Sequence, residues 1–534
     1  MLLLLAWWAT LLIAALPLGA TLTRLCRHGL AREDRFVVQS FLGLAALSAI
    51  LLALSFFTAI SPPVALIALA ASAALWIPPS VREEFQFPAG SRWSLVGIMA
   101  ASAWNASGPV MLYDTGLYHY PLTRWLAEAG TIPGMALLHF RLGFTSSWLA
   151  TAAATDWGPW RGYTSGVTGG LLMAILVFQF TVSLRRLSGG EVSASDRFLI
   201  ASCPLFFLFM IVQRQQASPS PNLPIAAGVL ITGWLLAHSV RERNLAVIAA
   251  GLTIPLKLQA APALAIALAA RFASGKGWWK LLAAAAVLSS PLPIANFIST
   301  GCPFFPATIA CIESPSSMGF GSVRYFMRDT LYWARYYGHW NYDATFFSLD
   351  WIPRWLGNPW NWVFAGVCII GIWGAWKTRH QFPWSGAIGL AGSAYVMISA
   401  PDLRFAIGYV SLLLGLIGAA YSNWTRLISW VPARSWAAAA ISFLLLDAVG
   451  HEAAYYYILH AKNAAFQWER VLIASPIPSG LPFTQNELNG VHYRTSKAQQ
   501  CWGIERPCVP PDSGLEPTLH FCDPIVGERA GYCK

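Results

Sequence analysis

The chain has 534 residues, of which 56% are hydrophobic and 11% charged, and its mean hydropathy is +0.51. Soluble domains carry about a quarter charged residues, so a water-soluble globular protein is excluded, and the long apolar runs indicate a polytopic membrane protein. The net charge of +11 does not point to nucleic acid. The Lys and Arg residues stand in short clusters between apolar runs, where they act as topology signals.

Met1–Leu18 is apolar and no basic residue precedes it, whereas a secretory leader opens with a basic stretch. The charges follow instead, at Arg24, Arg27, Arg32 and Arg35. This predicts an uncleaved first helix over 2–20, with the N-terminus outside and the basic loop inside. Further spans are expected near 36–60, 63–78 and 93–111, which puts the 80–92 loop inside and Asp114 outside. Residues 112–165 are too mixed for one span and read as two amphipathic pieces, 117–129 and 145–156, lying on the outer surface. Later spans are expected near 166–184, 197–212, 222–239, 245–256, 258–271, 278–298, 360–376, 383–400, 405–421 and 435–450, about 14 in all. In this register Arg185–Arg186, Arg241/Arg243, Arg271/Lys276/Lys280, Lys377/Arg379 and Arg426/Arg434 all fall inside. The runs 245–256 and 258–271 are short and meet at IPLKLQ, with Lys257 at the turn, as a broken or re-entrant pair.

Two long segments, 299–359 and 451–534, fall outside. Of nine cysteines, Cys302, Cys311, Cys501, Cys508, Cys522 and Cys533 are on that side, and an even number in an oxidising compartment suggests disulfides. Pairing between neighbours is the simplest arrangement, although four tail cysteines allow three connectivities. The resulting organisation is 1–92 as N-terminal helices, 93–450 as a core with outer loops 112–165 and 299–359, and 451–534 as an outer tail.

The polar residues are concentrated in Tyr113–Trp148, YDTGLYHYPLTRWLAEAGTIPGMALLHFRLGFTSSW. Asp114 either N-caps a helix starting at Thr115 or serves as a general base, taking a proton from an acceptor hydroxyl. Tyr118, His119 and His139 are candidates for contact with a phosphate or a sugar. Arg141 offers a bidentate phosphate contact or snorkels to headgroups. Lys257 sits where a charge is costly and usually functional, and a lysine there holds a lipid phosphate as a point charge. In PDLRF, Asp402 and Arg404 either pair with each other or leave Arg404 facing a lipid-linked phosphate. Asp343, Asp350, Arg324, Arg328 and Arg335, with Trp333, Trp340 and Trp351, either line a sugar cleft or rest on headgroups. No nucleotide-binding or hydrolase motif stands in a credible setting.

This arrangement resembles the GT-C superfamily of integral membrane glycosyltransferases. The residues that carry the resemblance are DTGLYHYPLTRW, PGMALLHFRLGFTSSW, GCPFFP, LDWIPRWLG, APDLRF and CWGIERPC, and its core spans roughly 93–421. The same segments are similar to a set of bacterial multi-spanning probable glycosyltransferases. The resemblance implies an all-α polytopic membrane fold in a bacterial inner membrane. It also implies transfer of a sugar from a polyprenyl-phosphate-linked donor to a glycan, lipid or protein acceptor on the outer face. Asp114 then takes the catalytic place, Lys257, Arg141 and Arg404 hold the donor phosphate, and His119, Tyr118, His139 and Asp402 contact substrate. Many such enzymes carry an acidic pair in this loop. Here Asp114 stands alone, with Glu128 and Asp156 farther along, so a divalent metal stays open but without an acidic pair to support it, and no other cofactor is indicated. A ligase or polymerase using a diphosphate carrier, or a secondary transporter, is the alternative.

Overall fold

The computed structural model describes all residues except 86–90, 276, 337–346, 422–429, 460–468 and 512–514. The chain is mostly helical. Among the described residues, six helices are long and apolar enough to cross a membrane: Leu2–Cys26, Arg32–Leu54, Val167–Ser188, Ala194–Val212, Trp278–Thr300 and Leu403–Ala420. Each of the other expected spans also coincides with a helix, from Pro62–Ala73 and Arg92–Ala106 to Pro359–Lys377 and Pro383–Ser399. The helix over Ser435–Leu459 runs past its expected end near 450.

With little hydrophobic drive between apolar helices in lipid, close association depends on small residues that let backbones meet. Leu2–Cys26 and Arg32–Leu54 use this device reciprocally. A Cβ at Gly19 would lie 1.9 Å from the Gln39 carbonyl oxygen, and one at Gly43 would lie 1.9 Å from that of Ala15. Helix ends are also fastened by charge. Arg186 at the end of Val167–Ser188 binds Asp34 at 2.9 Å and Asp196 at 3.1 Å, so three helices share one guanidinium.

The expected amphipathic pieces exist as Tyr120–Glu128 and Ser147–Ala153, but they do not lie open on a surface. Residues 120–126 and 147–153 are all buried. The C-terminal tail covers Tyr120–Glu128, while Ser147–Ala153 packs between Arg32–Leu54 and Tyr120–Glu128, and the tail also departs from an all-α reading. Phe483–Leu488 pairs antiparallel with Val491–Ser496 through a tight Asn489–Gly490 turn, both residues having positive φ, as a two-residue hairpin with Asn-Gly favours. Cys508–Val509 adds a parallel strand, and His520–Phe521 pairs with Tyr532–Cys533. Disulfides join Cys302–Cys311, Cys501–Cys508 and Cys522–Cys533, the neighbour pairing. Small strands with little core of their own gain stability from such staples.

Gly43→Val should overpack the seam between the first two helices and cost about 1–3 kcal/mol, seen as a lowered thermal midpoint in detergent. Gly366→Ala, whose Cβ meets nothing within 4 Å, should leave the midpoint in place. Equal midpoints for the two variants would show that the seam does not hold the bundle.

Candidate functional site

Asp114 enters the bundle on an irregular stretch. Thr115–His119 forms a widened π turn that continues directly into Tyr120–Glu128, a distortion often found at functional sites. Asp114 makes no side-chain cap, so the capping role open to it in the sequence is not used. Its Oδ2 instead accepts a hydrogen bond from Nη1 of Arg404 at 2.8 Å. Arg404 and Asp402 do not form an ion pair. The Asp402 carboxylate caps Leu403–Ala420, accepting from the Arg404 backbone N–H at 2.7 Å, which leaves the Arg404 guanidinium free to reach across. That guanidinium also lies over the rings of Phe405 and Trp333, at 4.7 and 5.2 Å from their centroids.

Lys257 arrives on the expected broken helix. Arg243–Thr253 ends, Lys257 is extended, and Ala261–Phe272 resumes. Carbonyls released by such a break must find partners inside the protein. The Ser147 N–H donates to Pro255 O at 2.9 Å, and the Ser146 hydroxyl donates to Leu256 O at 2.7 Å. On the other side the Tyr409 hydroxyl donates to Gln259 O at 2.7 Å, while the Gln259 side-chain amide donates to Phe405 O. The break is thereby pinned to Ser147–Ala153 and Leu403–Ala420 at once. Lys257 Nζ lies 4.3 Å from the Phe405 ring centroid.

These elements enclose a cavity of about 260 Å³. Asp114, Tyr118, Arg141, Lys257 and Arg404 all border it. Arg141 and Lys257 have no ion-pair partner among the described residues. His119, His139 and Asp402 stand behind the wall. His119 and His139 are 1% and 4% exposed, and burial pushes each imidazole down to about 3, so both are neutral at physiological pH.

The fourth wall comes from Phe320–Tyr336, which presents Phe326, Asp329, Thr330 and Trp333 to the cavity. Trp333 was a candidate in the sequence, whereas Asp329 was not singled out, although the spacing of these four residues marks one helical face. The other candidates of this region point elsewhere. Asp350 accepts from the Tyr336 hydroxyl at 2.6 Å, Arg335 lies 5.2 Å from the Trp351 ring, and Arg324 and Arg328 are exposed. Asp343 and Trp340 lie outside the described residues. Glu128 and Asp156 are structural: Glu128 binds Arg124, Arg161 and Arg506, and Asp156 closes a turn through Gly162 and Thr164. Among the described residues no group of three or more His, Cys, Asp or Glu is placed to hold a metal.

The two cavity carboxylates differ in proton affinity. Burial works to raise Asp114, but Arg404, followed by His119, Arg141 and Lys257, outweighs it and holds the carboxyl below the usual range. Burial lifts Asp329 to about 6, against the opposing charge of Arg141. Burial, followed by the Arg404 charge, pushes Lys257 down to about 7. The cavity thus holds Arg141, a partly protonated Lys257 and a paired Arg404 against one firmly ionised carboxylate and one that titrates near neutrality. That balance suits an anion beside Arg141 and Lys257.

Residues 1–411 match the family described as Domain of unknown function (DUF8201). The chain belongs to this family. The matched region includes every residue that borders the cavity. No curated protein and no solved structure matches the chain.

The tail lies beyond the matched region and clamps the segment that carries Asp114. The Trp502 N–H donates to Gly116 O at 2.9 Å, and a Cβ at Gly116 would lie 2.1 Å from the Trp502 ring. Gln500 donates to Tyr113 O at 2.6 Å, Arg124 to the carbonyls of Gly503 and Ile504 at 3.2 and 3.0 Å, and Arg506 to Glu128 at 2.6 Å. The Cys501–Cys508 disulfide closes the loop that presents these groups. Trp502→Ala, or reduction of that disulfide, should raise amide hydrogen exchange across 113–119 about tenfold, equivalent to ~1.4 kcal/mol, and leave Val167–Ser188 unchanged. Exchange in 113–119 that stays at the native rate would show that the tail does not hold this segment.

Proposed function

We propose that this protein is a membrane glycosyltransferase of GT-C-like architecture, with about 14 membrane crossings, that moves a sugar from a polyprenyl-phosphate donor to an acceptor hydroxyl. The observation that carries the reading is the cavity in which Lys257 and Arg141, without ion-pair partners among the described residues, border the same space as the Asp114–Arg404 pair. A polyprenyl phosphate needs a small cationic pocket for its head beside apolar surface for its tail, and this cavity sets Lys257, Arg141 and Arg404 beside Phe144, Leu256, Leu258, Leu292 and Phe405. The disulfides and the tail lie on the same side of the bundle as the cavity, which suits chemistry on the oxidising outer face of a bacterial inner membrane.

In this reading the acceptor oxygen attacks the anomeric carbon, and the bond from that carbon to the phosphate oxygen breaks. The polyprenyl phosphate leaves with the electron pair. Lys257, Arg141 and Arg404 stabilise the charge that grows on the leaving phosphate. The hydroxyl proton passes to a carboxylate at the site, and Asp114 is the carboxylate fixed beside the phosphate by its bond to Arg404. The acceptor is a glycan, a lipid or a protein.

Native mass spectra of the purified protein should show co-purified polyprenyl phosphate or its glycosylated form, with the glycosylated form accumulating in Asp114→Asn. Bulk phospholipid alone in both proteins would remove the basis of the proposal. Lys257→Gln should weaken binding of farnesyl phosphate by about tenfold, in keeping with loss of a charged contact of ~1.5 kcal/mol. Because the free Lys257 titrates near 7, native binding should be strongest below pH 7 and weaken as pH rises through it. The Gln variant should lose that dependence, as isothermal titration across pH 6–9 would report.

A further inference from the structure

The cavity carries two chemically different sets of side chains. Arg141, Lys257 and Arg404 supply positive charge, whereas Phe320–Tyr336 brings a carboxylate, a hydroxyl and an indole: Asp329, Thr330 and Trp333. Asp329 and Trp333 are four residues apart, so they stand on one helical face, one above the other. Asp114 is occupied by Arg404 at 2.8 Å, but Asp329 has no hydrogen-bond or ion-pair partner among the described residues. It is partly exposed and borders the cavity. A carboxylate repels a phosphate, so this wall is unsuited to the anionic part of a ligand. It accepts hydrogen bonds, and bonds to an ionised acceptor are the stronger kind. The Trp333 ring beside it is fixed in place by the Arg404 guanidinium over it at 5.2 Å. An aromatic ring next to a hydrogen-bond acceptor matches a pyranose or furanose, which has C–H groups on its faces and hydroxyls around its rim.

We propose that Asp329, Thr330 and Trp333 form the carbohydrate subsite of this cavity, with the Asp329 carboxylate accepting hydrogen bonds from ring hydroxyls of the sugar whose phosphate sits at Lys257 and Arg141. The inference rests on the glycosyltransferase reading and deepens it. It separates the residues that hold the lipid phosphate from those that recognise the transferred sugar. The ligand class is a neutral, hydroxyl-bearing glycosyl group. A sugar acid would bring a second anion against Asp329 and be rejected, since specificity comes as much from the repulsive contact as from the attractive one. Trp333 also joins the two sets, because the guanidinium that pairs with Asp114 rests on the ring that faces the sugar.

The test compares farnesyl phosphate with a panel of farnesyl-phosphate-linked sugars (a hexose, an N-acetylhexosamine, a deoxyhexose, a pentose and a uronic acid) on purified protein. In the native protein at least one neutral sugar should tighten binding over farnesyl phosphate itself, and the uronic acid should not. Asp329→Asn should remove about tenfold of that gain, the scale of one hydrogen bond to a charged group, and leave farnesyl phosphate within twofold of native. Trp333→Phe, which keeps a ring, should retain part of the gain, and unchanged thermal midpoints would show that both variants fold. Lys257→Gln should weaken all the probes alike. The subsite is overturned if Asp329→Asn leaves the preferred glycosylated probe unaffected, or weakens it and farnesyl phosphate equally. It is overturned likewise if no sugar adds to native binding. If farnesyl phosphate itself does not bind the native protein, or binds Lys257→Gln as well as native, the parent reading fails and the subsite fails with it.

Discussion

The site depends on one ion pair, Asp114 with Arg404, which joins two points 290 residues apart in sequence. Neither charge is tolerable alone in an apolar interior, where an uncompensated ion costs several kcal/mol. Once both are present they must meet, and the meeting fixes the Asp114 segment against the start of Leu403–Ala420. Asp402 makes this possible by capping that helix through the Arg404 backbone, so the Arg404 side chain is spared for the long reach. Such a pair is weak evidence of stability, because an apolar replacement of the same shape can be as stable. Its value lies in setting two charged groups at a defined place beside open space.

The rest of the cavity follows from backbone that cannot satisfy itself. The interruption at Lys257 releases carbonyls that a membrane-embedded helix cannot leave bare. Ser146, Ser147 and Tyr409 take them up, and each of these contacts draws another wall of the cavity inward. The π turn at Thr115–His119 and the break at Pro255–Gln259 are two irregular stretches that both border the cavity, through Tyr118 and through Leu256, Lys257, Leu258 and Gln259. Irregular backbone in such a setting belongs where it is buried in protein or lines a cavity, and here it does both.

The C-terminal tail works from outside this frame. Trp502 occupies the space that any side chain at position 116 would need, and Arg506 crosses to Glu128 and covers the Trp125 ring at 4.2 Å. A segment that its amphipathic pattern suggests would lie on a surface is instead enclosed. The small disulfide-stapled strands give up independence as a domain and become a lid of fixed shape over Tyr113–Glu128.

The amino-acid sequence by itself indicated the membrane class, most of the helix positions, the break at Lys257 and the residues most exceptional for their surroundings, and it made neighbour pairing the simplest of the open cysteine arrangements. These are legible because hydropathy, helix breakers and misplaced charges are local signals whose cost in lipid does not depend on distant contacts. The tail strands went unread: the Asn489–Gly490 turn is a hairpin signal, but a short polar hairpin is faint beside long apolar runs. What only the tertiary structure decided is partnership. It chose Arg404 over helix capping for Asp114, set His119, His139 and Asp402 behind the wall, and brought Asp329 into the cavity from a helix whose charged residues mostly face away. Those choices turn on which segments, hundreds of residues apart, can share a low-dielectric space, and no local pattern encodes that geometry.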